Sequence, residues 1–379
     1  MSGKLLLVFF VSILLLAACR SGQEQVQPVT SNKRVIIGYV PGFRGDLDEK
    51  TINAKKLTHI NYAFVDVKDS MAWLTNIATD TVNFRKLNYL KKDNPELKIM
   101  ISIGGWSWSE NFSDAVLTEH SRKKFAASSA AICEQYNLDG VDIDWEYPGL
   151  KGEDNVFRAE DRENFPLMFK AIREELDALS KKTGKTYHVS TAIPCFQGFI
   201  DINDIGKAAE YMDYVNVMAY DYYVSGDIVG HHSNLYPSGN NNDGDSGDKA
   251  FKAYTKVGVP ASKLVLGIPF YGRSWILKTT DNRGIDRARD STLRGGGYTF
   301  IKDSMMIKPG FVRYWDEKAK SPYLWNEQLK QLVVYDDEES VQLKCEYVRD
   351  NNMGGIMFWQ YASDPKEYLL DAVNKHLYK

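Results

Sequence analysis

Short apolar runs alternate along this chain with longer stretches in which apolar residues return every three or four positions. The runs lie at Val35 to Val40, Leu57 to Asp66, Lys98 to Gly105, residues 138–148, Tyr187 to Ile193, Asp213 to Tyr220, Leu264 to Phe270 and Gly355 to Gln360. Each reads as a strand. Helical spacing marks Thr81 to Asn94, Glu119 to Tyr136, Asp161 to Lys182 and the stretches 203–211, 247–257, 338–350 and 365–378. The third of these carries Phe165, Phe169, Ile172, Leu176 and Leu179 on one side, with Gly184 beyond its end as a stop. Strand and helix in turn, eight times over, predict an α/β fold, a TIM (β/α)8 barrel.

Two intervals exceed a simple connection. Residues 221–246 contain the polar run Ser238 to Asp245. The stretch from Ser274 to about Tyr335 holds Gly295-Gly296-Gly297 and several aromatics, which predicts a small α+β subdomain, about 275–335, inserted between strands seven and eight.

One run breaks the apolar rule: Leu138-Asp139-Gly140-Val141-Asp142-Ile143-Asp144-Trp145-Glu146-Tyr147-Pro148. Val141, Ile143 and Trp145 give it strand propensity, and a period of two sends Asp142, Asp144 and Glu146 to one face and Asp139 to the other. In a parallel sheet covered on both sides, the acidic face points into protein. Carboxyls crowded there cannot all ionise, because burial and like charge both raise pKa. One that keeps its proton near pH 7 can act as a general acid. On the run alone, two other readings stand beside acid catalysis: a half-solvated strand with polar alternation, and an Asp-x-Asp-x-Glu set for a hard cation.

The spacing of Asp139, Asp142, Asp144 and Glu146, with Gly140, Trp145, Tyr147 and Pro148 around them, resembles the Asp-x-x-Asp-x-Asp-x-Glu signature of glycoside hydrolase family 18, the chitinase family. Other strand ends share the likeness. They are Ser102-Ile103-Gly104-Gly105 on the third strand, Met218-Ala219-Tyr220-Asp221 on the sixth, Tyr271-Gly272-Arg273 after the seventh and Trp359 on the eighth, so the resemblance spans about residues 35 to 364.

The resemblance implies a retaining hydrolase of β-1,4-linked N-acetylglucosamine polymers or oligomers, a chitinase. In it the substrate's 2-acetamido carbonyl is the nucleophile and an oxazolinium ion the intermediate. Glu146 is then the proton donor and Asp144 orients the acetamide. Asp142 shares a proton with Asp144, Ser102 and Tyr39 hydrogen-bond Asp142, and Tyr220 holds the acetamido oxygen. Trp359 is the floor under the cleaved sugar, Trp106 serves the leaving-group side, and Phe64 and Met218 line the acetamido pocket. Asp221 and Arg273 contact sugar polar groups, Tyr147 and Tyr271 complete the binding set, and Gly104 and Gly105 support it. Asp139, by its parity, takes a structural hydrogen-bonding role. No metal or other cofactor is implied. Two neighbouring readings are an endo-β-N-acetylglucosaminidase acting on N-glycan chitobiose cores and a non-catalytic, lectin-like chitin-binding protein; the latter generally lack the glutamate that this chain keeps.

Composition adds boundaries. The 379 residues suit one barrel with an insertion, and a formal charge of −3 without a basic stripe gives no reason to expect nucleic acid as a partner. There is no Gly-rich phosphate loop and no His-Glu-x-x-His, although His231 and His232 adjoin. Cys133, Cys195 and Cys345 are odd in number and far apart, which argues against a disulfide framework or zinc site; they read as buried small hydrophobes.

At the amino end, Lys4, the apolar run Leu5 to Leu16 and the tetrad Leu16-Ala17-Ala18-Cys19 have the form of a secretory signal. The tetrad resembles a bacterial lipobox, which implies cleavage before Cys19 and a lipid on it. The apolar core is shorter than the ~20 residues of a spanning helix. The expected organisation is a lipoprotein signal at 1–18, a flexible tether at 19–33 and a catalytic barrel at 34–379. Such a protein is expected to be a monomer held to a membrane by its lipid in the bacterial cell envelope, at the periplasmic face of the outer membrane or at the cell surface.

Overall fold

In a computed structural model, which describes residues 34–238 and 244–379, eight parallel strands close into a barrel. They are β1 (Val35–Pro41), β2 (His59–Lys68), β3 (Lys98–Gly104), β4 (Gly140–Asp144), β5 (His188–Pro194), β6 (Tyr214–Met218), β7 (Leu264–Pro269) and β8 (Gly355–Trp359). Each pairs with the next in chain order, and β1 pairs with both β2 and β8. The expected signal, tether and Cys19, and residues 239–243 of the polar run, lie outside the described residues.

The helices follow from local chemistry. Glu119–Gln135 begins at Thr118, whose side chain and that of Ser121 form a reciprocal capping box. Asp161–Thr183 stops at Gly184, which takes the left-handed conformation at φ 74°. The expected helix at 203–211 is instead two short turns, Ile205–Ala208 and Ala209–Tyr211. Among the described residues no helix is long and apolar enough to cross a membrane.

Between β7 and β8 the chain supplies five strands of a six-stranded antiparallel sheet, cored by Trp275, Leu277, Trp325, Leu332 and Val334. Its edge strand, Ile228–Val229, comes from the 221–246 interval that the sequence reads as a loop. Two residues are too few to leave a periodic signal.

β4 divides its residues as parity demands. Val141, Ile143 and Trp145 pack outward with Phe165, Phe169 and Ile172 of the helix Asp161–Thr183, and the Trp145 ring stacks on Phe112 at 5.2 Å. Inward, Asp142 sits in register with Ser102 of β3 and Ser190 of β5, and Asp144 with Gly104. The strand is shorter than expected and ends at Asp144. The Asp144 carbonyl accepts from the Gly105 amide at 2.7 Å, while the Glu146 amide donates to the Ser109 hydroxyl at 2.9 Å. Local hydrogen bonds thus replace the ladder, and Glu146 projects from the loop just beyond it. Cys133, Cys195 and Cys345 are free and buried.

Candidate active site

The carboxyl ends of the strands surround a cavity of about 910 Å³, within the range of specific small-ligand sites. Asp144, Glu146, Tyr147, Tyr220, Asp221, Tyr271, Arg273, Met218, Phe64, Trp106, Trp359, Tyr39 and Gly104 all line it. Asp142, Ser102, Gly105 and Asp139 do not line it; the first three lie under or behind its wall.

Asp142 is fully buried beneath the floor. Its Oδ2 accepts from the Tyr39 hydroxyl at 2.8 Å and the Ser102 hydroxyl at 2.7 Å; its Oδ1 accepts from Ser190 at 2.5 Å and from the Asn216 amide at 3.2 Å. Burial raises its pKa although these four donors pull the other way. Ser190 and Asn216 are absent from the sequence reading. They belong to β5 and β6, and only the register across three strands brings them to Asp142.

Asp144 differs sharply from its neighbour. It is buried, and Oδ1 has no hydrogen-bond partner among the described residues. Burial, then the charge of Glu146, then that of Asp142 push its carboxyl well above the usual range. The stronger coupling is therefore to Glu146, whereas the sequence reading pairs Asp144 with Asp142.

Glu146 is partly exposed to the cavity. Desolvation raises its pKa to about 7; the Tyr147 hydroxyl draws it down and the Asp221 charge pushes it up. Such a group holds a substantial share of its protons at neutral pH, the condition for a general acid that later serves as base. The loop behind it is fixed by buried side chains. Ser109 takes the Glu146 amide and donates to the Gly105 carbonyl at 2.8 Å, and Asn155 donates to the carbonyls of Tyr147 and Leu150.

Gly104 is required sterically: its φ is 107°, and a Cβ there would lie 2.2 Å from the Asp144 carbonyl oxygen. Next to it, a Cβ on Gly105 would strike the Phe64 ring. That ring stacks on Trp359 at 5.5 Å and 16°, and Tyr39 tilts against the same indole at 5.7 Å. The three rings make a continuous apolar wall. Trp106 stands half exposed at the rim, edge-on to Tyr147.

Tyr220 is partly buried beside the acids, and desolvation with the charges of Asp144, Asp221 and Glu146 keeps its phenol protonated far above neutral pH. Asp221 is gripped by Arg273, which donates from Nε at 2.8 Å and Nη2 at 2.6 Å, and by the Tyr271 hydroxyl at 2.8 Å. Burial alone would raise the Asp221 carboxyl, but His232 and Arg273 hold it below the ordinary value. His232 is another residue that sequence reasoning missed; its adjacency to His231 signals nothing by itself.

Asp139 sits apart from the cavity. It bonds Lys91 at 2.5 Å, Lys185 at 3.1 Å and the Ile99 amide at 2.8 Å. Burial works against its charge, yet these partners keep its carboxyl below the usual range. Among the described residues no group of three His, Cys, Asp or Glu side chains is arranged to hold a metal ion.

A carboxyl poised near neutrality, a second one buried behind it and an aromatic-walled cleft at the carboxyl rim of a parallel barrel define a site for acid–base bond cleavage on an extended ligand. The sequence model of Glycosyl hydrolases family 18 matches residues 35–364, and the chain belongs to that family. It is 31% identical over 436 residues to Chitinase A1 of Niallia circulans, an alignment covering 97% of this chain and 62% of that protein. To Endochitinase 1 of Metarhizium robertsii it is 34% identical over 285 residues, covering 74% of this chain and 65% of that one. The chain thus spans somewhat under two thirds of the length of these relatives. A family 18 N-acetylglucosaminidase from Paenibacillus barengoltzii superposes with a TM-score of 0.84 at 36% identity, covering 91% of this chain and all of that one.

Proposed function

We propose that the protein is a retaining glycosidase that hydrolyses β-1,4-linked N-acetylglucosamine chains with the help of the substrate's own acetamide. The observation that carries the reading is Asp144: a buried carboxyl with an oxygen that has no partner among the described residues, at the strand end just before Glu146. A group in that state calls for a polar ligand atom, and an acetamido N–H on the sugar beside Glu146 is such an atom.

In this mechanism Glu146 delivers its proton to the glycosidic oxygen, and the leaving sugar departs with the bonding electron pair. The acetamido carbonyl oxygen closes onto the anomeric carbon, and Asp144, ionised by passing its shared proton to Asp142, offsets the positive charge of the oxazolinium ion. Tyr220, protonated and partly buried, donates to that carbonyl and holds it in line. Water then opens the ring at the anomeric carbon and returns a proton to Glu146. Two displacements leave the configuration unchanged. Trp359, backed by Phe64 and Tyr39, presents a flat apolar surface to the sugar's C–H face.

A fluorogenic chitobioside is the direct test, beside the matching cellobioside that lacks the acetamide. We expect cleavage of the first only, and loss of about 10²–10⁴-fold in Glu146→Gln. Equal rates on the two sugars would sink the reading.

The likeness to an N-acetylglucosaminidase that is covered over its whole length and aligns with 91% of this chain favours one second reading, release of N-acetylglucosamine units from chain ends. A product time course on defined oligomers separates it from internal cleavage. Lipid attachment at Cys19, an envelope location and a monomeric state are proposed from the sequence alone. Fatty-acid labelling that survives in Cys19→Ser would rule the first out.

A further inference from the structure

Asp221 is an unusual ligand for a sugar, because its hydrogen-bonding capacity is already filled. A carboxylate offers about four acceptor positions on its two oxygens. Oδ2 takes the Tyr271 hydroxyl and Arg273 Nη2; Oδ1 takes Arg273 Nε and, at 3.2 Å, His232 Nδ1. A sugar hydroxyl that donated to Asp221 would have to displace one of these.

Arg273 is the opposite case. Two of its five N–H groups are committed to Asp221, and its side chain, 39% exposed, lines the cavity. Nη1 and one N–H of Nη2 therefore remain to meet a ligand, in a plane that the bidentate grip on Asp221 fixes.

His232 supplies the fourth donor from a place substrate cannot reach. Its side chain is fully buried and does not line the cavity. Arg273 keeps Asp221 ionised and acceptor-only, so Nδ1 must carry the proton of that bond. Nε2 is buried without a partner among the described residues, where a second proton would leave an unpaired cationic donor in the interior. The groups that face the ring are Asp221 and Arg273, the Tyr271 ring at 5.6 Å and, farther off, Asp336. Asp336 is neutralised in turn by the buried Lys344 at 2.6 Å and accepts from Ser233, so the residue after His232 is pinned and the ring has a fixed mount.

We propose that His232, as the neutral Nδ1–H tautomer, is a positioning residue that fills the last acceptor site of Asp221, so that this pair meets substrate through Arg273 N–H groups and selects an acceptor oxygen on the sugar. The inference rests on the glycosidase reading above. It assigns a role to a residue that never touches the ligand, and it makes Asp221 a mount where the sequence reading made it a contact.

Two measurements test it. Nitrogen NMR of the full protein with labelled histidine, at neutral pH, reads the tautomer without any substrate: a protonated Nδ1 and a bare Nε2 on His232 are expected. The opposite tautomer, or an imidazolium, overturns the proposal. In steady-state kinetics on a chitobioside, His232→Leu is expected to raise KM about tenfold or more with a smaller change in kcat, the mark of lost ground-state positioning. His232→Asn, which keeps an N–H donor, should recover most of that loss. A folded Leu variant with the parental KM, or an Asn variant no better than Leu, overturns it as well. Should the Leu variant not fold, the tautomer decides alone. If the parent protein cleaves no N-acetylglucosaminide, it is the glycosidase reading that fails, and the tautomer is still measured.

Discussion

The hydroxyl of Ser109 accepts the backbone amide of Glu146 at 2.9 Å and donates to the Gly105 carbonyl, joining the ends of β3 and β4 behind Glu146. Ser109 is fully buried, so its removal leaves an amide and a carbonyl without their partner. Ser109→Ala is expected to cost about 1–3 kcal/mol of stability in denaturant titration. Because a shift of the acid by about 1 Å can cost about a hundredfold, kcat should fall far more than melting does.

As the proposed proton donor Glu146 must be protonated to act, and burial raises its pKa to about 7. The rate should therefore fall as pH rises through about 7, giving the basic limb of a pH profile on a chitobioside. The same shift affects stability. Between the ordinary glutamate value of 4.5 and about 7 the folded protein holds a proton that the unfolded chain has released, so stability declines with rising pH across that window. Glu146→Gln removes this proton uptake. Thermal melts should show the variant gaining on the parent at pH 8 and not at pH 4.

The negative charge of Asp221 is one of the influences that raise Glu146. Asp221→Asn deletes it and also leaves the Arg273 cation without its counter-charge, and both changes favour the ionised form of Glu146. The basic limb of the pH profile should move to lower pH. An unmoved or raised limb would contradict the coupling.

Asp139 separates structure from chemistry. Asp139→Asn breaks a largely buried interaction with Lys91 and weakens that with Lys185, which should cost about 3 kcal/mol at pH 7 while kcat stays near the parental value. Its folded pKa lies below 3.8, so the carboxylate's contribution is present above that value and is lost as pH falls through the folded pKa. The stability gap between parent and variant should accordingly narrow in acid.

Elements of period two or 3.6 are legible from the sequence, because the core imposes those periods on the residues themselves. The strands, the long helices and the inward face of Asp142 and Asp144 all follow from that rule. What resists reading is contact across register. Ser190 and Asn216 reach Asp142 from two other strands, and Ser109 and His232 are single polar residues in irregular segments. No period marks them, and each is fixed by a hydrogen bond whose partner lies 11 to 74 positions away. The early end of β4 was hidden for a related reason, since Trp145 and Glu146 keep strand-like alternation while their backbone bonds to the Ser109 loop.

The alternation in β4 also constrains how this segment can evolve. Val141, Ile143 and Trp145 belong to the outer core while the acids between them serve the cavity, so both tasks share one frame with no spare position. Insertion or deletion of a single residue between Gly140 and Glu146 would exchange the faces, putting carboxylates into the apolar layer and an indole among the acids. The segment can drift by substitution, but indels are closed to it.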